Sequence, residues 1–329
     1  MTEHFIKNIE IKNFKCFEKF KADGCGRVNL IGGKNNVGKT AFMEAVYINS
    51  HAKNIYNLTD ALGNVTLRRD KLNFLLDNFR GRNDEPLSLT TQKYIENISN
   101  LHISTNIDNV QFRIEDEKTG VIKYHFLFQN EKIDVNIREF SYRRERIDNI
   151  KFLDNFGLSK KNIIDTYKSI VDAGIGNYIK KQLKELDNNI TDFKFTNEIL
   201  YIEINNEELP LIELGDGVRI FISIILLLYS SKGGYLFIDE VENGIHYSKL
   251  DRLWEIILTI SKEQNVQVFA TTHSKECIES YARVAKKLED EEIGFIELGR
   301  NKKNELDSVV MNSEMFQRFI NLGNEVRGW

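Results

Sequence analysis

The sequence predicts an α/β protein with a mixed, largely parallel sheet core, an antiparallel β subdomain and a helical insertion. Three observations predict it. Apolar runs at 28–31, 235–238 and 266–270 alternate with helical stretches, the pattern of a parallel α/β core. Residues 101–138 alternate apolar and polar side chains, as in NVQFRIED and KYHFLFQN, which suits an antiparallel sheet. Residues 160–190 change to helical period, with Ile163, Ile164, Tyr167, Ile170 and Val171 on one face, then Ile179, Leu183 and Leu186.

In chain order, FIKNIEIKNFKCFEKFKADGCGRVNLI reads as short strands with a turn signal at Asp23-Gly24. Val28 to Ile31 then runs directly into GGKNNVGKT at 32–40, and 40–50 (TAFMEAVYINS) reads as a helix. After the alternating and helical stretches, ILYIEI at 199–204 is a strand. Ile220 to Tyr229 (IFISIILLLY) is apolar for about half of the ~20 residues a membrane span requires, so it reads as a buried core helix. YLFI at 235–238, a helix near 248–262 and VQVFA at 266–270 complete the α/β core. The terminal MFQRFINLGNEVRGW suits either a closing strand or a docking peptide. The division expected within a single head over 1–329 is an N-terminal lobe with the glycine loop (1–138), a helical insertion (139–198) and a second lobe (199–329).

With 41% hydrophobic residues among 329, the chain can bury a large core. A net charge of -4 gives no overall signal for nucleic acid. Two local basic clusters exist, Arg143, Arg144 and Arg146, then Lys180, Lys181 and Lys184; such clusters are usually solvated helix faces. Cys16, Cys25 and Cys277 are few and scattered, which argues against a disulfide framework and for a reducing compartment. The N-terminus lacks a signal-peptide core, and a cytoplasmic protein without membrane association is expected.

Gly33-Lys34-Asn35-Asn36-Val37-Gly38-Lys39-Thr40 fits G-x-x-x-x-G-K-[ST] and sits between an apolar strand and a helix, as phosphate binding requires. Gly33, Asn35, Asn36, Val37, Gly38, Lys39, Thr40 and Ala41 are therefore the expected nucleotide-binding positions. Lys39 is expected to reach the β- and γ-phosphates, and Thr40 to ligate Mg²⁺. At the tip of YLFI, Asp239 is the expected second Mg²⁺ residue and Glu240 the general base for water. One strand–helix–strand crossover later, Thr271-Thr272-His273-Ser274 again ends a strand, so His273 is expected beside Glu240. Leu214-Gly215-Asp216-Gly217-Val218-Arg219 precedes the apolar helix and forms a second anion-ready helix start. One loop already holds one triphosphate, so Gly215, Asp216 and Gly217 suit a nucleotide held by another subunit.

The order GGKNNVGKT, LGDGVR, YLFIDEVENGIH, TTHS resembles the ABC-type ATPase heads of the RecF, SMC and OLD group, above all the stand-alone AAA15/OLD-like ATPases without a nuclease domain. IKNIEIKNFKCFEKF resembles that group's first strands. The resemblance covers 1–50 and 210–280 well. It implies a P-loop NTPase of ABC-ATPase type that binds ATP and Mg²⁺, hydrolyses ATP, and forms a head-to-head homodimer or higher homo-oligomer. It implies that Gly215, Asp216 and Gly217 act in trans on the γ-phosphate held by Lys39, and that Glu242, Asn243 and Gly244 form the loop crossing the dimer interface. A glutamine sensing Mg²⁺ is also implied; Gln92 and Gln111 are both candidates. Phe14 and Lys15 are candidates for contact with the base or ribose.

OLD nucleases add a metal-binding D-x-D pair, and no D-x-D occurs here; the EDEE run at 289–292 reads as a solvated helix end. No intrinsic nuclease is therefore expected. Guanine readers use N-K-x-D, and the nearest match, Asn301-Lys302-Lys303-Asn304, lacks the aspartate, which favours ATP. Two functions follow from the resemblance: an ATP switch controlling a separate effector protein in a bacterial defence or toxin–antitoxin setting, or a RecF/SMC-like ATP-dependent DNA-binding repair protein, with DNA as candidate partner.

Overall fold

The computed structural model describes residues 5–52, 57, 58, 61, 65, 101–107, 109–116, 122–128, 131–136 and 149–323, less 156, 171–174, 188 and 198; the side chains of 109–136, 160, 175 and 212 are outside the description. The first strands, β1 (Asn8–Phe14) and β2 (Phe17–Asp23), form a hairpin that turns at Lys15-Cys16, where Lys15 adopts φ 55°. Gly24 (φ 100°) releases β2 towards β3 (Val28–Gly33), which leads into α1 (Lys39–Ser50). Next come β4 (Leu101–Thr105), β5 (Asn109–Asp116), β6 (Ile122–Phe128) and β7 (Glu131–Asn136). They extend the hairpin into an antiparallel sheet of order β2-β1-β4-β5-β6-β7, as the period-two alternation requires.

The chain then gives β8 (Ile150–Leu153), α2 (Lys160–Ile170), α3 (Ile175–Leu186), and a small antiparallel sheet of β9 (Ile190–Thr196), β10 (Ile199–Ile204) and β11 (Glu207–Pro210). The last part carries α4 (Asp216–Ser230), β12 (Tyr235–Ile238), α5 (Leu250–Glu263), β13 (Gln267–Thr271), α6 (Lys275–Lys287), β14 (Ile293–Arg300), β15 (Leu306–Asn312) and α7 (Ser313–Asn321). The core sheet has the order β15-β14-β3-β13-β12-β8, parallel except for the β14–β15 hairpin.

Because side chains alternate across a strand, this sheet divides the buried residues into two cores. Val28, Leu30, Leu236, Ile238, Val268 and Ala270 face the helices of the second half, where Trp254 and Ile220 to Leu228 are buried. Ile31, Tyr235, Phe237, Phe269 and Ile296 face α1 and the N-terminal hairpin. There Phe152, Phe237 and Phe269 stack across three neighbouring strands at 6.1 and 5.7 Å, with Tyr47 edge-on to Phe237 at 5.4 Å. No helix among the described residues is long and apolar enough to cross a membrane.

Three expectations change. The segment 139–198 is not wholly helical: β8 joins the edge of the core sheet beside β12, and β9 opens the small sheet. The EDEE run, just past the end of α6, is solvated only in part: Glu289, Glu291 and Glu292 are exposed, but Asp290 is not. Asp290 is buried and pairs with Arg27, itself 2% exposed, and Glu292 reaches the same guanidinium at 3.3 Å. A buried guanidinium needs partners for its charge and donors, and this cluster supplies them. Finally, the stretch beginning at Met315 continues a helix, capped by Asn312 accepting from the Met315 amide at 3.0 Å and anchored by fully buried Phe316. Residues 324–329 lie outside the described residues.

Candidate nucleotide site

Three adjacent parallel strands, β3, β13 and β12, end on one edge, the usual place for ligands in an open α/β sheet. Register pairs Thr271 with Ile31 and Ala270 with Ile238, so the glycine loop, Asp239-Glu240 and Thr271–His273 emerge side by side.

Gly33 closes β3, and Lys34, Asn35 and Asn36 arch outward, exposed, with Asn36 at φ 61°. Val37 turns inward and is buried. Gly38 is the N-cap of α1 at φ 91° with no side-chain cap. A Cβ there would lie 2.7 Å from Cys16 Sγ and 3.0 Å from the Phe17 ring, so only glycine fits. The first amides of α1, starting at Lys39, Thr40 and buried Ala41, thus lack side-chain caps and can receive a phosphate. Lys39 folds back over the loop, its Nζ donating to Gly33 O (2.8 Å) and Lys34 O (2.9 Å). Burial lowers its pKa, opposed by the carboxylates of Glu240, Glu242 and Asp239. An arriving phosphate would take over these donors.

Asp239 lies between two hydroxyls. Thr271 Oγ1 donates to its Oδ1 at 2.6 Å, and Thr40 Oγ1 at 3.2 Å. Burial pushes its carboxyl above the ordinary carboxylate range, with the Thr271 hydrogen bond opposing. A hard-oxygen pair of hydroxyl and carboxylate suits Mg²⁺, with phosphate and water oxygens completing the shell. Among the described residues no cluster of three or more His, Cys, Asp or Glu forms a metal cage.

Glu240 takes φ 51°, unusual for a non-glycine residue, and its amide donates to Thr271 Oγ1 at 2.9 Å. Thr271 therefore aims both acidic residues. His273 Nδ1 lies 3.9 Å from Glu240 Oε1 and 3.4 Å from Glu242 Oε1, and the His273 amide donates to Glu242 Oε1 at 3.1 Å. A cavity of about 740 Å³ is lined by Lys15, Cys16, Asn35, Asn36, Gly38, Lys39, Thr40, Ala41, Asp239, Glu240, Thr271 and His273. That size accommodates a small-molecule cofactor.

The structure thus brings together the loop, Asp239, Glu240 and His273. Lys15 lines the cavity and pairs with buried Glu44, whereas Phe14 is fully buried in the core and does not reach it. The sequence motifs assign no separate role to Thr271 or Glu44. A hydroxyl at the tip of a strand beside an acidic tip was the available signal for Thr271. Gly215, Asp216 and Gly217 stand apart from the cavity, at the exposed start of α4. Asp216 and Gly217 pack on Gly244, where a Cβ on Gly217 would lie 2.3 Å from Gly244 O. Asn243 and Gly244 are exposed, but Glu242 turns inward to His273. The Gln111 side chain, Gln92, Arg143, Arg144 and Arg146 lie outside the description; Lys180 is neutralised by Asp192 at 2.8 Å.

The fold and this strand-end constellation define a P-loop ATPase. Residues 165–279 match the family described as "AAA domain, putative AbiEii toxin, Type IV TA system". The chain is similar to an ATP/GTP phosphatase of Helicobacter pylori, 26% identical over 336 residues that span 83% of this chain and 86% of that protein. Over 49 residues it is 43% identical to the DNA replication and repair protein RecF of Bacillus thuringiensis, covering 15% of this chain and 13% of RecF. An Smc head bound to the C-terminal winged-helix domain of ScpA shares the fold, with TM-score 0.56 and 11% identity over 94% of this chain and 99% of that one.

Proposed function

We propose that this chain is an ATP-driven switch: two copies close head to head on two Mg-ATP, and the closed and open states control a separate effector protein. The observation that carries this reading is the separation of two anion-ready helix starts. α1 opens into the cavity, while the exposed, side-chain-uncapped start of α4 at Gly215–Gly217 stands outside it. A second copy brought face to face would place that start on the γ-phosphate, where the helix dipole favours negative charge.

Within each site, loop amides and Lys39 bind the phosphates, and Thr40 and Asp239 are placed to hold Mg²⁺, which neutralises phosphate charge when bound. Glu240, half-exposed at the cavity edge, accepts the proton of the attacking water. His273 lies beside it as a contact for the γ-phosphate and that water. The similarity to an ATP/GTP phosphatase supports hydrolysis, and the match to a toxin–antitoxin family supports an effector and a defence setting.

The test is capture of tagged Glu240→Gln protein from its native cells under ATP and under ADP. A protein partner retained in one nucleotide state only is expected. Absence of any partner in both states contradicts the effector, and ATP-dependent, salt-sensitive binding of duplex DNA instead points to a RecF-like repair protein.

A further inference from the structure

Thr271 has no chemistry of its own in this site, yet three hydrogen bonds tie it to the acidic turn after β12. It ends β13, is buried, and borders the nucleotide cavity. Its Oγ1 donates to Asp239 Oδ1 at 2.6 Å and accepts the Glu240 amide at 2.9 Å. Its backbone oxygen accepts the Val241 amide at 3.0 Å. On its other side Thr271 pairs with Ile31, and the Thr272 amide donates to Ile31 O at 3.0 Å, so β3 fixes the end of β13. The turn needs such an anchor. Glu240 takes φ 51°, a left-handed conformation that a glutamate keeps only when its surroundings impose it. The amides on either side of its Cα, those of Glu240 and Val241, both end on Thr271.

One hydroxyl therefore serves both acids. The Glu240 amide can only donate, so it takes a lone pair of Oγ1, and the hydroxyl proton goes to Asp239. We propose that Thr271 is a positioning residue that joins the Mg²⁺ half of the site to the water half. The same hydroxyl that orients the Asp239 carboxylate for the metal fixes the backbone that aims Glu240 at the attacking water. The kinetic half of this inference rests on the ATPase reading; the clamp on the turn does not.

Thr271→Val and Thr271→Ala remove both hydroxyl bonds, whereas Thr271→Ser keeps them. Amide hydrogen exchange in nucleotide-free protein, resolved by NMR, reads the clamp directly. The Glu240 amide should exchange about tenfold faster or more in Thr271→Val and Thr271→Ala, and as in wild type in Thr271→Ser. The amides of Phe237 and Phe269, in the strands that carry the turn, should keep their rates. A Glu240 amide that exchanges at the wild-type rate without the hydroxyl overturns the proposal. In steady-state kinetics Thr271→Val should lower kcat about ten- to hundredfold at saturating Mg²⁺, with KM for ATP little changed. The Mg²⁺ concentration giving half the maximal rate should rise severalfold, and Thr271→Ser should restore both readings. In a Glu240→Gln background, at saturating Mg²⁺, Thr271→Val should add no further loss, because both act through one group. Additive losses, or a lowered Tm with both kinetic readings at wild-type values, overturn the positioning role. A wild-type protein with no ATP hydrolysis would refute the ATPase reading instead, and amide exchange would still report on Thr271.

Discussion

Gly215 and Gly217 lie two positions apart at the start of α4, yet the structure sets them very different tasks. A Cβ on Gly217 would lie 2.3 Å from Gly244 O and 3.3 Å from Gly244 C, so the helix start or the 242–244 loop must give by about 1 Å to reach ordinary C···O contact. Overpacking of this kind costs about 1–3 kcal/mol. At ~2.1 cal/mol/K of unfolding entropy per residue, 1 kcal/mol moves Tm of a chain this long by about 1.5 °C, so Gly217→Ala should lower Tm by about 1.5–4.5 °C. Gly215 has nothing within 4 Å of a built Cβ, and its φ of -59° and ψ of 152° suit any residue. Gly215→Ala should therefore hold or raise Tm, by up to about 1 kcal/mol of lost unfolded-state freedom. Nothing inside one subunit calls for glycine at 215. If the partner's γ-phosphate approaches that backbone, the new methyl displaces it and weakens one charge-assisted N–H bond. At ~1.5–3 kcal/mol for that bond, ATP-induced dimerisation should fall about ten- to hundredfold. The assay pairs thermal unfolding without nucleotide with sedimentation equilibrium under Mg-ATP and titration of a fluorescent ATP analogue into dilute, monomeric protein. Both variants should keep the monomer's nucleotide affinity. Gly215→Ala that dimerises like wild type, or that weakens nucleotide binding in the monomer, would refute the reasoning.

Lys39→Ala removes the ammonium that spans the loop and should abolish nucleotide binding in the same titration, with little change in fold. Glu240→Gln should keep ATP affinity, slow hydrolysis by about 10²–10⁴-fold and accumulate an ATP-bound dimer; hydrolysis at the wild-type rate means another group is the base. Asp239 gives a pH test. Burial raises its folded pKa, so the nucleotide-free protein is favoured with Asp239 neutral, and this contribution is lost as pH rises through the folded pKa from the unfolded value of about 3.9. Asp239→Asn should therefore make apo-protein stability less pH-dependent across that window and raise Tm at neutral pH, while removing the extra stabilisation by Mg-ATP. An apo protein destabilised by this change contradicts the assignment.

Much of this was legible because the chemistry is local. Strand, glycine loop and helix follow one another in 28–50, and a parallel sheet allows few ways to place the tips of YLFI and VQVFA beside that loop. What was not legible depends on distant partners. β8 is four residues, IKFL, too short for its period to show, and it becomes a core strand only by pairing with β12. Asp290 looked solvated within a run of acids, because nothing nearby announces its partner, Arg27, at the other end of the chain. Glu242 fell within the interface loop by resemblance, yet folds inward because the His273 amide receives it. Phe14 and Lys15 are neighbours in the sequence, but the left-handed turn after β1 buries one and directs the other to the cavity.

The central claim is that each ATP site is completed by a second copy. Mixing two inactive proteins tests it most directly: Lys39→Ala, which cannot hold nucleotide, and Gly215→Ala/Gly217→Ala, which holds it but cannot finish the partner's site. A mixed dimer restores one site, with Lys39 from one subunit and an intact 215–217 segment from the other. The account predicts ATPase activity in the mixture where each protein alone has little. A mixture no more active than the sum of its parts would contradict it.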